Sequence, residues 1–262
     1  MVGTFKIITM ATSIEEKIID IENDHFYDSG SVNVDGSVLK CWKAGGHGDQ
    51  TFLQVLQNSC NPGFVKLGQM LGKEKLFSYI EKFGFGNKTG VDLNGEGQGI
   101  IFPLDKVGNV ELSTTAFGQG VSVTPIQQVT AVSAVVNNGY LYKPYIVKSI
   151  AEKETNTIIK ETEKNLVRKV ISNETSAIMR HALESVVAKG GGKAAYIEGY
   201  RVGGKTGTAQ KVQNGRYLVG NYIMSFMAIV PSNDPEAVLY LAIDNPKNTA
   251  LLSSYTTTPI AR

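Results

Sequence analysis

Cysteine and tryptophan are nearly missing from this chain, whose 262 residues include only Cys41, Cys60 and the lone Trp42. Neither cysteine belongs to a C-x-x-C pair, so the usual spacing of a zinc-ribbon ligand set is absent. Histidine is scarce as well, at three residues, and the net charge is only +2 with the lysines scattered along the chain. A nucleic-acid partner is thereby argued against, because such partners are met by a clustered basic face. There is no apolar run of about eighteen residues and no signal-like start, so the chain by itself reads as soluble. What remains, 42% hydrophobic and 19% charged, suffices for a sizeable core, built as one domain or as two subdomains around one cleft.

The stretch from Gly199 to Thr208 admits two readings. Gly199 to Thr206 fits G-x-x-x-x-G-K-[ST], the phosphate-cradling loop of nucleotide hydrolases, and Leu239 to Asp244 resembles a magnesium-holding strand end. That machine needs a helix directly after the Lys-Thr, so that backbone N–H groups and the helix dipole meet the phosphate. Gly207, Thr208 and the stretch from Gln210 to Arg216 make a poor helix, and little chain follows Asp244 to complete a nucleotide-binding sheet. The other reading takes Lys205-Thr206-Gly207 as an edge strand that presents a cation and hydroxyls to an anionic substrate, with glycine admitting the ligand close to the backbone. It requires S-x-N and S-x-x-K partners upstream. Ser59-Cys60-Asn61 supplies the first; Gly3-Thr4-Phe5-Lys6 supplies the lysine of the second, with glycine where the nucleophilic serine belongs. Lys88-Thr89-Gly90 repeats the tripeptide, but it follows a helix and the Gly84-Phe85-Gly86 turn and reads as an ordinary loop.

These motifs run in a fixed order with Lys40-Cys41-Trp42, Gly45-Gly46-His47-Gly48, Pro62-Gly63-Phe64, Ala116-Phe117-Gly118-Gln119-Gly120, Thr124-Pro125 and Ala209-Gln210. The whole resembles the transpeptidase domain of class B penicillin-binding proteins, in particular their sporulation-type, stage V group, over nearly all of the chain. The resemblance implies a serine-type D,D-transpeptidase that cross-links peptidoglycan stem peptides and is acylated by β-lactams, which mimic D-Ala-D-Ala. No cofactor is required for that catalysis. It also implies an N-terminal membrane anchor, work on the extracytoplasmic face and a membrane glycosyltransferase partner. By the same likeness the chain is truncated at both ends, lacking strands before the S-x-x-K helix and a helix continuing past Ile260.

Acyl transfer requires a nucleophile, a base, a proton relay to the leaving amine and donors aimed at the oxyanion. The resemblance assigns Lys6 as base, Ser59 as relay, Asn61 as holder of the substrate amide, and Lys205, Thr206 and Thr208 as binders of the terminal carboxylate. Gly207 admits close approach, and the Thr208 N–H gives one oxyanion donor. A basic Lys6 must be neutral, and burial beside the cationic Lys205 pushes it that way. Glycine has no hydroxyl, so with Gly3 at the nucleophile position the acyl-enzyme cannot form by the family route. Two expectations follow: a transpeptidase domain that is inactive as cut, with Met1-Val2-Gly3 a truncated or engineered start, or a non-acylating peptide- and β-lactam-binding scaffold.

Periodicity and caps predict an α+β fold in a single domain, residues 1–262: an antiparallel sheet, roughly 199–245, covered by helices, plus an all-helical subdomain, roughly 4–190. Helices are expected from Phe5 to Ile19, Asp49 to Gln57, Pro62 to Leu71 and Lys73 to Phe83, with Gly72 between the last two. Thr124-Pro125-Ile126-Gln127 is a capping box that opens a helix to Asn138, and Ser172 opens another to Lys189. Gly30 to Lys43 reads as a hairpin turning at Asp35-Gly36. Strands are expected at Val202, Ile223 to Val230 and Ala237 to Ile243.

Cys41, His47, Asp49 and Cys60 have the ligand types and loop placement of a tetrahedral structural zinc site beside the S-x-N turn. Buried free thiols and, in an extracytoplasmic setting, a disulfide stay open beside it.

Overall fold

Helix α1 (Lys6–Glu15) is buried from Lys6 to Ile14 on every side, which its hydroxyls permit because each returns to a backbone carbonyl. Thr12 Oγ1 donates to Ile8 O at 2.8 Å, Ser13 Oγ to Thr9 O at 2.9 Å, and Thr9 Oγ1 to Ala116 O at 2.7 Å; buried hydroxyls left unpaired would each cost about 1–3 kcal/mol. The helix ends before the expected Ile19 because Lys17 adopts φ +53°, outside the helical basin. The chain is described here from a computed structural model covering residues 3–213, 216–247 and 256–262.

Strand β1 (His25–Asp28) pairs antiparallel with β4 (Gly48–Thr51), and between them β2 (Ser31–Val34) and β3 (Ser37–Lys40) form the expected hairpin. Its turn residues Asp35 and Gly36 sit at φ +46° and +82°, the left-handed pair that a tight two-residue hairpin turn needs. The helix expected from Asp49 begins only at Phe52: Thr51 caps helix α2 (Phe52–Gln57) in a capping box with Gln54, and residues 48–51 are drawn into β4. Helix α3 (Asn61–Lys82) spans both predicted segments, kinked at Gly72 with φ +75° and ψ +162°. After α4 (Asn109–Ala116), Thr124 and Pro125 open α5 (Pro125–Val136) as predicted.

Four short strands follow that periodicity missed, β5 (Tyr140–Tyr142), β6 (Ser149–Ala151), β7 (Ile158–Glu161) and β8 (Leu166–Lys169), paired as β5–β8 and β6–β7. The segment 4–190 is therefore not all-helical; it carries four two-stranded ribbons among its helices. Ser172 caps α6 (Asn173–Lys189), as expected.

The last third is a three-stranded antiparallel sheet of order β11-β10-β9, from β9 (Gly203–Gln213), β10 (Arg216–Val230) and β11 (Ala237–Asp244), before the short α7 (Thr258–Ala261). Lys205-Thr206-Gly207 lies within β9, at one edge of this sheet. Because residues 203–213 form one continuous strand, no helix N-terminus follows Lys205-Thr206, and the phosphate-loop reading is excluded. The main core joins α1, α3, α5 and α6, with Met227 and Ile229 of β10 packed into it. Among the described residues no helix is long and apolar enough to cross a membrane.

Candidate active site

Two distant pieces of sequence meet at the amine of Lys6. This residue opens α1, 2% exposed, and its Nζ donates to Ser59 O at 2.8 Å, Ser59 Oγ at 3.0 Å and Asn61 Oδ1 at 2.7 Å. The corner that brings the last two together is tight: Ser59 takes φ +52° between the end of α2 and the start of α3. Asn61 Nδ2 in turn donates to Lys40 O at 3.1 Å, tying the corner to β3.

The edge strand closes the site. Lys205, 1% exposed, donates from Nζ to Thr206 O at 3.1 Å, while Thr206, Gly207 and Thr208 pair with Phe226, Ser225 and Met224 of β10. Gly3, at φ +95°, packs directly on this strand: a Cβ added there would lie 2.6 Å from Thr206 O and 2.7 Å from Gly207 Cα. The structure thus brings Lys6, Ser59 and Asn61 into contact and sets Gly3 against Thr206 and Gly207 of the strand that carries Lys205. Lys88-Thr89-Gly90 stays a loop, with Thr89 N and Oγ1 and Gly90 N donating to Glu96.

Burial governs the charges. It lowers the Lys6 ammonium from 10.5 to about 7, against the opposing pull of Cys60 and Cys41, and it lowers Lys205 well below its ordinary range, aided by repulsion from Lys6. A neutral Lys6 amine can accept the Ser59 hydroxyl proton along the 3.0 Å contact, the geometry of a base touching a relay.

The candidate metal ligands are only partly the predicted ones. Donor atoms of Asp28, Cys41, His47 and Cys60 lie within 4.8 Å of one another; Asp49 is not among them. Strand alternation explains the correction. In the β1–β4 ladder Asp28 faces Gly48 and Tyr27 faces Asp49, so Asp28 points inward beside His47 while Asp49 points outward to His25, 2.9 Å away. No spacing rule singled out Asp28, because only the pairing of β1 with β4 places it.

Asp28 Oδ2 accepts from His47 N at 3.0 Å and Cys60 Sγ at 3.3 Å and lies 2.9 Å from His47 Nδ1, while Cys41 Sγ is 3.3 Å from that same nitrogen. Burial opposes ionisation of Asp28, yet hydrogen bonds led by His47 hold it at about 2. Burial pushes both thiols up, Cys60 most, and both cysteines are free. Two sulfurs, an imidazole and a carboxylate are the donor types of a tetrahedral zinc-class ion, whose bonds of about 2.0–2.3 Å would bring donors that now lie within 4.8 Å of one another to about 3.3–3.8 Å apart.

Comparison with known proteins follows the same motifs. The family profile described as penicillin binding protein transpeptidase domain matches residues 3–262. Stage V sporulation protein D of Bacillus subtilis (strain 168) is 60% identical over 258 residues, covering 98% of this chain and 40% of that protein. A peptidoglycan D,D-transpeptidase FtsI homolog of Mesostigma viride is 32% identical over 290 residues, covering 99% of this chain and 47% of that protein. The chain thus spans less than half the length of these relatives. The crystal structure of penicillin-binding protein 3 from Mycobacterium tuberculosis complexed with aztreonam superposes with a TM-score of 0.87 at 28% identity, covering 98% of this chain and 59% of that one. The ampicillin complex of the same protein gives 0.88 at 28% identity, covering 99% and 59%.

Proposed function

Because this chain belongs to the penicillin-binding protein transpeptidase family, we propose that its cleft is a D-alanyl-terminus site of the peptidoglycan D,D-transpeptidase kind, used in sporulation-type wall synthesis and able to hold β-lactams. One observation carries the reading: the Lys6 amine touches both Ser59 and Asn61 while Gly3 lies against the Lys205-Thr206-Gly207 strand. In this reading Lys6 is the base and Ser59 the relay. Asn61 holds the substrate amide, and Lys205 with Thr206 and Thr208 receives the terminal carboxylate. The nucleophile has no counterpart, since Gly3 bears no hydroxyl, so ligands are held without the acyl-enzyme of the family route. The variant reading, a scaffold that binds such peptides without turnover, differs only in whether the gene encodes serine at residue 3. The parent protein would act at the extracytoplasmic membrane face with a membrane glycosyltransferase partner.

We also propose that Asp28, Cys41, His47 and Cys60 hold a structural zinc-class ion. When bound, it would supply a cross-link between β1, the loop after β3 and the start of α3, bracing the Ser59 corner.

The test of the main reading is intact-mass spectrometry after incubation with benzylpenicillin, paired with calorimetric titration of a D-alanyl-D-alanine peptide. The expected result is no mass increase together with saturable binding that Lys205→Met weakens about tenfold or more, the scale of a lost charge-assisted contact. A covalent adduct, or binding indifferent to Lys205, would overturn it.

A further inference from the structure

The largest apolar side chain in the sequence is left in solvent next to the site. Trp42 is 59% exposed, yet its ring is not free to turn: Nε1–H donates to Asn58 O at 2.7 Å, and the indole meets the His47 ring edge-on at 5.4 Å and 65°. Asn58 immediately precedes Ser59, so the ring is anchored to the catalytic corner itself. Beside it opens a shallow cavity of about 400 Å³ whose wall includes Ser29, Ser31, Lys40, Trp42 and Lys43. The Lys40 carbonyl accepts from Asn61 Nδ2 at 3.1 Å, so one wall of the groove is tied to the site by a single hydrogen bond.

An immobilised aromatic face with hydroxyls and ammonium groups at its rim has a definite chemical complement. A pyranose ring offers C–H groups on one face, which pack on the electron-rich indole, and hydroxyls at its edge, which need donors and acceptors. An acetamido substituent adds a carbonyl acceptor suited to a lysine ammonium. No carboxylate lines this cavity to select a cationic ligand instead.

We propose that Trp42 and the adjoining groove form a saccharide subsite for an N-acetylated amino sugar, the class of ring that carries the stem peptide in a peptidoglycan substrate. This rests on the reading of the cleft given above. The subsite would grip the glycan while Lys205 and Thr206 grip the peptide terminus, so that two weak contacts act on one tethered ligand.

Trp42 is the sole tryptophan, so the protein's tryptophan emission reports on this ring alone. Titration with tetra-N-acetylchitotetraose (chitotetraose), the N-acetylglucosamine tetramer, should give a saturable blue shift. Calorimetry should find chitotetraose binding weakened about tenfold or more in Trp42→Ala, and less in Trp42→Phe, because the stacking surface is removed or only reduced. Lys43→Glu, on the exposed rim, should weaken it too, and circular dichroism checks that each variant is folded. Absence of any emission change, equal affinity in Trp42→Ala, or equal binding of maltotetraose, which lacks acetamido groups, would each overturn the proposal. If chitotetraose fails while the D-alanyl-D-alanine peptide still binds, only the subsite falls; if the peptide alone fails, the reading of the cleft falls and the groove stands.

Discussion

A buried amine held near neutrality makes Lys6 a stability switch as well as a candidate base. Its folded value of about 7 lies below the ordinary 10.5. Between these limits the unfolded chain binds one more proton at this position than the folded chain does. The penalty is therefore complete below about pH 7 and is relieved as pH rises toward 10.5, at up to about 1.4 kcal/mol per pH unit. Lys205 is shifted in the same direction. Thermal melts at rising pH should show the midpoint climbing above pH 7, with a shallower climb in Lys6→Met; identical profiles would refute the assignment. Gly3 carries a second prediction at this scale. At φ +95° and with Thr206 O so near its missing Cβ, Gly3→Ser should lower stability by about 1–3 kcal/mol, read from denaturant melts. An unchanged midpoint would mean that the segment and β9 separate more easily than the packing implies. The candidate site residues were legible in sequence because Gly3-Thr4-Phe5-Lys6, Ser59-Cys60-Asn61 and Lys205-Thr206-Gly207 are each short local patterns; Asp28 was not, since an isolated aspartate at a strand end carries no pattern.

Besides the shared core, helix α1 is tied to the start of α6 by a carboxylate. Glu15 Oε2 accepts from Ser172 N at 2.9 Å, Ser172 Oγ at 2.8 Å and Thr175 Oγ1 at 2.5 Å, placing an anion at the positive end of α6. Burial opposes its ionisation, but the bonds from Thr175 and Ser172 outweigh that and lower its pKa below 4.5. The contribution is thus present above pH 4.5 and lost as pH falls through the folded value. Glu15→Gln should cost about 1–2 kcal/mol near neutral pH and less in acid, measured by urea unfolding at both pH values; a loss that does not shrink in acid would count against this account. The caps at Thr124 and Ser172 and the break at Gly72 were readable because each is a local backbone requirement. The ribbons β5–β8 and β6–β7 were not, because strands of three or four residues, mostly exposed, are too short to show a period.

At the scale of the whole molecule, the four donors of Asp28, Cys41, His47 and Cys60 come from three separate segments, so an ion there would tie the β1–β4 layer to the helical core. A dication that binds only the folded chain stabilises it by about 3–4 kcal/mol at 100–1,000 times its Kd. Elemental analysis of protein purified without added zinc should find metal near one equivalent per chain, and a chelator should lower the melting temperature in the wild type but not in Asp28→Ala. Stoichiometry near zero removes the proposal. Asp49→Ala, on the outer face of β4 with His25, should leave metal content unchanged.

What the amino-acid order determined alone was the local grammar: which segments turn, cap and alternate, which short motifs carry reactive groups, and that residue 3 has no hydroxyl. Tertiary structure decided the partnerships. The packing that sets Lys6 against the α2–α3 corner and Gly3 against β9 accompanies the burial of both Lys6 and Lys205, which shifts their charge, since desolvation depends on everything that surrounds a group rather than on its neighbours in sequence. Only the β1–β4 register turns Asp28 inward and Asp49 outward, because alternation assigns faces and pairing decides which face meets the core.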